Sequence, residues 1–375
     1  MTAAPHPFPA AGEGAAGAEP ALLRRHPRLR ALPRAPFVTA PTPVEPLPLP
    51  GAPAGACFVK RDERSCALYG GNKPRKLEWV LGAARARGVR RLVTSGGIGT
   101  HHGLATAILG RSLDMATTVV CVPQPVTPHV LEQLDAMLAW GAEIRFARGV
   151  PGAAAQTVRA LVRARLAGER PLLVPTGGSS ALGDVGFVAA AYELADQVAA
   201  GALPEPAEIY VPVGSGGTLS GLVLGLALAG LRTRVVGVLV TDILPPGRRR
   251  LLGLARATLA RLRRIDPTLP AVALAPDAFE LTRAQLGAGY GAPSPAAREA
   301  AAIARDAGLA LETTYTAKCL AELIERLRDG RARAPSLFWN TFNAVDVRRS
   351  APGAAGREAL PAALRAWLAA QEEVA

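Results

Sequence analysis

Short apolar runs alternate with longer amphipathic stretches from about residue 90 onward. The short runs are rich in Val, Ile and Leu and predict strands, whereas the longer stretches repeat apolar residues at helical spacing and several end on Gly. The predicted strands are RRLVTS, TTVVCVP, AEIRFAR, PLLVPTG, EIYVPVG, RVVGVLVT and PSLFWNT, and the predicted helices include VLEQLDAMLAWG, AQTVRALVRARLAG, GFVAAAYELADQVAAG and AAREAAAIARDAG. Apolar strands that alternate with amphipathic helices predict an α/β fold with mostly parallel sheets covered on both faces.

Four junctions that follow predicted strands or precede helices are rich in Gly, Ser and Thr. They are TSGGIGTHHG (94–103), VPTGGSSALG (174–183), VPVGSGGTLSG (211–221) and LETTYTAK (311–318). Ligands of parallel α/β folds bind beyond the carboxyl ends of the strands, and small residues let the backbone approach a ligand closely. We therefore expect these junctions to line the functional site.

The junction at 211–221 has the composition of a phosphate-binding loop. Small residues let its backbone surround an anion, and the helix that follows offers free N–H groups at its N-terminus. It is not a P-loop, because no Lys-Ser/Thr pair follows the glycines. A dinucleotide GxGxxG motif counted from Gly214 would need glycine where Leu219 stands.

A second motif, GGNKPRKLE, covers residues 70–78. Pro74 suits the first turn of a helix and disfavours the α conformation for the residue before it. Lys73 is therefore predicted at the last loop position, where its amine projects into a cleft. Arg75, Lys76 and Glu78 are predicted on a solvated face of the helix that follows.

Composition bounds the size and the partners of the protein. Its 375 residues, 49% of them hydrophobic, exceed what one compact domain usually holds, so we expect two lobes. The start of the chain is mostly Ala, Gly and Pro, which predicts a disordered extension over residues 1–32. The net charge of +13 comes from scattered Arg without interleaved aromatic residues, so we expect no nucleic-acid partner.

The cysteines and the termini bear on the compartment. Four scattered cysteines without metal-binding spacing predict no metal site and a reducing, cytoplasmic environment. They are Cys57, Cys66, Cys121 and Cys319. We expect neither a secretory signal nor a membrane span, since no basic segment precedes an apolar one at the N-terminus and no apolar run is long enough.

Taken together, these segments resemble a known enzyme family. The stretches VKRDERSCALYGGNKPRKLEW, SGGIGTHHGLATA, PTGGSSALGDVGFV, VGSGGTLSG, GAGYGAPS and TTYTAKCLAELI occur in the family's order, within roughly residues 33–345. The chain is similar to 1-aminocyclopropane-1-carboxylate deaminase and D-cysteine desulfhydrase, which are fold-type II (tryptophan-synthase-β-like) pyridoxal-phosphate enzymes. GGNKPRKLE carries most of this resemblance, because a Gly-rich loop alone is not specific.

The resemblance implies an architecture and a cofactor. It implies a two-lobed α/β fold, with residues 33–78 and 177–375 forming a large cofactor-binding domain and residues 79–176 a small one. The cofactor would be pyridoxal 5'-phosphate, the substrate a small amino acid and the assembly a homodimer.

The resemblance also implies roles for individual residues in binding the cofactor. Lys73 matches the lysine that binds it covalently and also takes the Cα proton of the substrate. Thr316 matches the residue that faces the pyridine nitrogen. The phosphate-binding loop is matched by Gly214, Ser215, Gly216, Gly217, Thr218 and Leu219.

Further matches concern the substrate side. Tyr290 and Tyr315 match active-site tyrosines near the substrate, and Thr100 replaces the family's substrate-side serine as a catalytic and substrate-binding residue. His101 and His102 replace the Asn and the Gln or His that follow that serine, in the loop that binds the substrate carboxylate and the 3' oxygen of the cofactor.

Two hydroxyl residues favour one activity within the family. The members that open the cyclopropane ring resemble one another in having Glu where this chain has Thr316. They also have Leu where this chain has Thr341, a substrate-side residue at the end of the last predicted strand. A hydroxyl leaves the pyridine nitrogen unprotonated, which suits elimination of a good β-leaving group. The sequence therefore predicts a D-cysteine-desulfhydrase-like α,β-elimination that yields pyruvate, ammonia and sulfide.

Other activities stay open at this point. The departures at Thr100-His101-His102 and in Asn340-Thr341-Phe342-Asn343 allow a different D-amino acid or a β-substituted one as substrate. Ring opening by a deaminase and β-replacement by a synthase are the enzymatic alternatives. A catalytically degenerate, cofactor-binding protein is the alternative of another class.

Overall fold

The computed structural model describes residues 18–275, 277–353 and 356–372. The helices are α1 (Ala21–Arg25), α2 (Asn72–Ala86), α3 (His101–Arg111), α4 (Pro128–Ala139), α5 (Val150–Leu166), α6 (Val185–Ala199), α7 (Gly217–Ala229), α8 (Arg248–Ile265), α9 (Pro295–Asp306), α10 (Thr316–Arg328) and α11 (Ala362–Glu372). The strands are β1 (Val44–Pro46), β2 (Cys57–Lys60), β3 (Arg91–Gly97), β4 (Ala116–Val122), β5 (Glu143–Phe146), β6 (Pro171–Leu173), β7 (Glu208–Val213), β8 (Arg234–Leu239), β9 (Phe279–Thr282) and β10 (Ser336–Trp339).

The strands form two sheets. One has the order β1-β2-β10-β7-β8-β9 and is parallel except for β1, which runs antiparallel to β2. The other is fully parallel and has the order β5-β4-β3-β6. Each of the seven predicted strands is present, and the predicted α/β class with mostly parallel sheets is confirmed.

The helix ends follow the glycine signals of the sequence. Gly141, Gly168, Gly201 and Gly308 come shortly after α4, α5, α6 and α9, and each has a φ between +73° and +76°. Glycine adopts this left-handed conformation without the Cβ clash that other residues suffer, so it ends a helix at little cost. All four predicted helices are therefore present, with bounds within about five residues of those predicted.

The two sheets draw on different parts of the chain. The four-stranded sheet comes from strands within residues 91–173, and the six-stranded sheet comes from strands within 44–60 and 208–339. The residue ranges given for the two domains extend well beyond these strands and stay a prediction.

The N-terminal segment corrects one expectation. Residues 1–17 lie outside the described residues, but residues 18–32 are folded: α1 is followed by a 3₁₀ turn over Pro27–Ala31. Leu22 and Leu29 are fully buried in the core beside α6 and α8. The predicted disorder is wrong for residues 18–32, because these leucines bury enough apolar surface to offset the entropy lost on ordering.

Two further properties bear on the environment of the protein. The four cysteines are buried and none is in a disulfide. Among the helices of the described ranges, none combines the length and the apolar character that crossing a bilayer requires.

Candidate active site

A cavity of about 320 Å³ lies at the carboxyl ends of strands from both sheets. Its wall is formed by the loops after β3, β7, β8 and β10, by the first turn of α2, and by the segment before α10. This is the edge at which parallel sheets bind ligands. The cavity brings Lys73, Thr100, His101, His102, Gly214, Ser215, Gly216, Thr218, Tyr290, Tyr315, Thr316 and Thr341 together.

Lys73 lies on the cavity wall in the first turn of α2. The helix begins at Asn72, so Lys73 is its second residue and not the last loop residue that Pro74 predicted. Its Nζ donates a hydrogen bond to Asn72 Oδ1 over 2.7 Å. Burial, reinforced by the charge of Lys76, lowers the pKa of Lys73 to about 7 although Glu312 opposes the shift. A substantial fraction of the amine is therefore unprotonated near neutral pH.

The Gly-rich loop joins β7 to the N-terminus of α7. Gly216 takes a φ of +94° at the N-cap, and the first-turn N–H of Gly217 bonds to Ser179 Oγ at 3.0 Å. Ser179 Oγ also lies 2.7 Å from Ser215 Oγ. Thr218 accepts a hydrogen bond from Asn72, which connects the loop to the lysine-bearing helix. Leu219 is 1% exposed and packs in the core beneath the loop.

Lys76 belongs to the site, and its predicted place on a solvated helix face is wrong. Its side chain is buried on the cavity wall, and Nζ lies 3.4 Å from Ser179 Oγ. It stands one helical turn after Lys73, a spacing that places both amines on the same side of α2. That spacing is the signal in the sequence from which its role could have been predicted.

Arg75 and Glu78 are also buried, because α2 packs between α3 and α6 with no open face. Arg75 forms ion pairs with Asp62 at 2.7 Å and with Glu193 at 3.0 Å. Buried charges are tolerated when they are paired and hydrogen-bonded in this way. This network anchors the helix that carries Lys73.

Tyr290 and Tyr315 form a hydrogen-bonded pair on the cavity wall. Their hydroxyl oxygens are 2.8 Å apart, and their rings meet edge to face with centroids 5.9 Å apart. Burial raises the pKa of both phenols, so they are neutral donors near neutral pH. Tyr315 also lies against the phosphate loop, since a Cβ on Gly214 would approach its ring to 3.2 Å.

Thr316 begins α10 and is 1% exposed. Its hydroxyl lies 3.2 Å from Glu312 Oε1, and Glu312 accepts hydrogen bonds from the backbone N–H groups of Thr314, Tyr315 and Thr316. Glu312 thus satisfies the free donors at the start of this helix. No role was predicted for Glu312, although it lies in the junction at 311–318.

Thr100 and His102 occupy structural positions at the start of α3. Thr100 Oγ1 accepts a hydrogen bond from the Gly103 N–H and caps the helix. His102 is 3% exposed, and burial lowers its pKa well below that of an ordinary histidine, although the backbone of Pro175 opposes the shift. It lies beside the 176–178 segment, near Lys76. The catalytic and substrate-binding roles of Thr100 and the substrate-binding role of His102 stay predictions.

His101 contacts Tyr69 and His129, two residues for which no role was predicted. Its Nδ1 lies 2.9 Å from the Tyr69 hydroxyl, and its Nε2 lies 3.1 Å from Nε2 of His129. Phe342 packs edge-on against the His101 ring at 5.8 Å between centroids. No short-range pattern connects Tyr69, His101 and His129, because they come from three separate segments.

The late strand end closes the cavity beside Lys73. The carbonyl of Thr341 accepts a hydrogen bond from the Asn72 N–H at 3.3 Å. Asn343 Oδ1 accepts one from the Gly70 N–H at 2.6 Å. The Thr341 backbone and the Asn343 side chain therefore hold the turn that presents the lysine.

The groups around the cavity fit pyridoxal 5'-phosphate. Lys73 supplies the amine, and the start of α7 with Ser179, Ser215 and Lys76 supplies hydrogen-bond donors and a positive charge for a phosphate. The role predicted for Thr316, facing the ring nitrogen, stays a prediction. A side chain at Gly177 would come within 2.1 Å of Ser215 Oγ, so glycine keeps this anion cradle open.

This fold and this site define a fold-type II pyridoxal-phosphate enzyme. Residues 37–338 match the family described as pyridoxal-phosphate dependent enzymes, and the chain belongs to that family. Its cofactor is pyridoxal phosphate.

One relative and two solved structures resemble this chain over most of its length. Nocardicin C-9' epimerase of Nocardia uniformis subsp. tsuyamanensis is 36% identical over 320 residues, which cover 83% of this chain and 93% of the epimerase. The crystal structure of an ACC deaminase homologue is 26% identical, with a TM-score of 0.73 over 91% of this chain and 99% of the homologue. A hydrogen sulfide-producing enzyme from Fusobacterium nucleatum, 13% identical, shares the fold with a TM-score of 0.53 over 81% and 95% of the two chains.

Proposed function

We propose that this protein is an epimerase or racemase that inverts the Cα configuration of an amino-acid group in its substrate. The observation that carries the proposal is that two different proton-carrying groups line one cavity: the Lys73 amine and the Tyr290–Tyr315 pair. Inversion by a two-base mechanism uses one group to remove a proton and another to return one. The 36% identity to an epimerase supports the same reaction.

Each group has a protonation state suited to its task. Lys73, with a pKa lowered to about 7, removes the Cα proton as a general base. The tyrosine pair returns a proton: as one hydroxyl donates to Cα, the other donates to it along their shared hydrogen bond. Bound pyridoxal phosphate supplies the electron sink that makes the Cα proton removable.

Exposed apolar side chains at the cavity support a substrate larger than a small amino acid. Val150, Ile243 and Leu244 line the cavity and remain 48%, 46% and 68% exposed. Arg250 lines the same wall. A substrate with an apolar group and an anionic group beyond its reacting carbon would cover these residues.

The second candidate is D-cysteine-desulfhydrase-like β-elimination, which begins with the same removal of a proton by Lys73. The hydroxyls of Thr316 and Thr341 favour it, since they stand where a ring-opening deaminase has Glu and Leu. The products would be pyruvate, ammonia and sulfide. Ring opening and β-replacement are weaker candidates that share this site.

A screen of the holoenzyme against D- and L-amino acids in D₂O separates the candidates. Free amino acids and peptides with aromatic side chains belong in it. We expect chiral chromatography to show inversion and proton NMR to show deuterium at Cα, and no keto acid should form. Pyruvate and sulfide from D-cysteine would instead establish the lyase, and pyruvate that falls when a thiol acceptor is added would establish β-replacement.

Variant controls complete the screen. Lys73→Ala should lose covalent cofactor attachment and all turnover. Absence of exchange and turnover with every compound would favour a degenerate cofactor-binding protein. We also propose a cytoplasmic homodimer, and light scattering on the purified holoenzyme tests the dimer.

A further inference from the structure

Three aromatic side chains form a continuous hydrogen-bonded row from the cavity wall outward. Tyr69 is 1% exposed and, like His101, lines the cavity. His129, on α4, bonds to the far side of the His101 ring, and its side chain is 36% exposed. The row therefore has one end at the cavity and the other at solvent.

The contact between the His101 and His129 rings requires that one of the two nitrogens carries a proton and donates it to the other. Two Nε2 atoms 3.1 Å apart form a hydrogen bond only when one carries hydrogen and the other does not. Burial, together with the nearby His129 and Lys73, lowers the pKa of His101 well below that of an ordinary histidine. The His101 ring is therefore neutral near pH 7 and has one donor and one acceptor nitrogen.

The Tyr69 hydroxyl allows the hydrogen bonds of this row to run in either direction. Its hydroxyl has two acceptors within reach, the Nδ1 of His101 at 2.9 Å and the carbonyl oxygen of His101 at 3.1 Å. When it donates to Nδ1, His101 donates from Nε2 to His129. When it donates to the carbonyl oxygen, His101 Nδ1–H donates to Tyr69 and His129 donates to His101.

We propose that Tyr69, His101 and His129 form a proton relay between the cavity and solvent, which resets the acid–base groups after each inversion. The inference rests on the proposed function, because each inversion leaves one proton too many on one carrier and one too few on the other.

Each transfer along the relay conserves atoms and electrons. In the outward direction a proton from the cavity binds the Tyr69 oxygen, and the original Tyr69 proton moves to His101 Nδ1. The Nε2 proton of His101 then moves to His129 Nε2, and the Nδ1 proton of His129 leaves to water. The inward direction reverses these steps.

The charged and titratable groups that face the relay come from several elements. Lys73 on α2 acts on His101 through its charge, and Glu132 on α4 lies 4.0 Å from His129 Nδ1. Phe342, in the loop after β10, packs against both rings and shields their hydrogen bond on that side. Phe342 therefore keeps water from one side of the His101–His129 hydrogen bond.

The first test uses His129→Gln, which interrupts the relay at its exposed end and leaves the cavity wall intact. In a weakly buffered solution we expect the turnover number for inversion to fall at least about tenfold. Added imidazole should restore most of it, because a small base can replace a half-exposed proton carrier. His129→Asn is the second variant if the glutamine variant does not fold.

His26→Gln is the matched control. His26 bonds to the Tyr192 hydroxyl at 2.9 Å, a similar histidine–tyrosine contact in the N-terminal segment. We expect unchanged turnover and no response to imidazole. If the His129 variants keep full turnover, or lose it without rescue by imidazole, the relay is refuted.

A second test does not depend on turnover. Nitrogen NMR of the histidine side chains in the holoenzyme should show that only one of the two facing Nε2 atoms is protonated. Protonation of both Nε2 atoms would refute the relay. A shared proton in a protein that inverts no substrate would refute the proposed function and leave the hydrogen-bonded row intact.

Discussion

The backbone of Gly71 packs directly against the carbonyl oxygen of Thr341. A Cβ on Gly71 would lie 2.4 Å from that oxygen, and the φ of Gly71 is +81°. Glycine is therefore required here on two counts, since a side chain would clash and would strain the backbone. The contact sets the entry into α2 and with it the direction of Lys73.

Gly71→Ala should destabilise the protein and weaken cofactor binding. We expect a loss of ~2–3 kcal/mol in the free energy of unfolding from the combined overpacking and backbone strain. Gly55→Ala is the control, because Gly55 has a φ of +76° but nothing within 4 Å of its Cβ position. Chemical denaturation should show a loss of only ~1 kcal/mol there, and equal losses at both glycines would contradict the clash.

The amine of Lys73 should react at an unusually low pH. With a pKa lowered to about 7 by burial, it loses its proton as the pH rises through that value, and the free amine is the reactive form. The chain contains only four lysines, Lys60, Lys73, Lys76 and Lys318, so peptide mapping after brief acylation of the cofactor-free protein reads each one. We expect half-maximal labelling of Lys73 near pH 7 and protection by added pyridoxal phosphate. A midpoint near 10 would refute the lowered pKa.

Asp184 should make the stability of the cofactor-free protein fall as the pH rises. Burial raises its pKa to about 8, although the charge of Lys76 opposes the shift. Between pH 4 and pH 8 the unfolded chain loses this proton while the folded protein keeps it, so ionisation favours unfolding. Asp184→Asn removes this titrating carboxyl group. Relative to the wild type, its free energy of unfolding should rise by up to about 1 kcal/mol per pH unit in that range. Denaturation curves at pH 5, 6, 7 and 8 measure the difference, and a constant difference would argue against it.

Tyr290→Phe should separate proton exchange from inversion. Loss of the hydroxyl interrupts the tyrosine pair, and we expect the kcat/KM for inversion to fall about 10²-fold. For two enantiomers of equal free energy the fall must be equal in both directions. The enantiomer whose proton Lys73 removes should still exchange its Cα hydrogen with D₂O and keep its configuration. Proton NMR with chiral chromatography follows both processes, and undiminished inversion would exclude the tyrosine pair as the second carrier.

Much of the fold could be predicted from local sequence. The strands at 91–97 and 208–213 have the apolar runs of buried parallel strands, and Gly141 and Gly168 mark helix ends by the conformation that glycine permits. Each of these signals acts within a few residues. The fold of the N-terminal segment could not be predicted in this way, because Leu22 and Leu29 are buried against α6 and α8, which lie far along the chain.

Some features of the candidate site could likewise be predicted from the sequence, and others could not. The sequence by itself determined the cofactor class through the family resemblance that GGNKPRKLE and the Gly-rich loop carry, and both are local devices, one for presenting an amine and one for binding a phosphate. Only the tertiary structure decided that Lys76 is buried beside Ser179 and that His101 lies between Tyr69 and His129. The reason is physical: period and turn chemistry are properties of neighbouring residues, whereas the burial of a charge and the partner of an imidazole depend on segments that meet only when the two sheets pack.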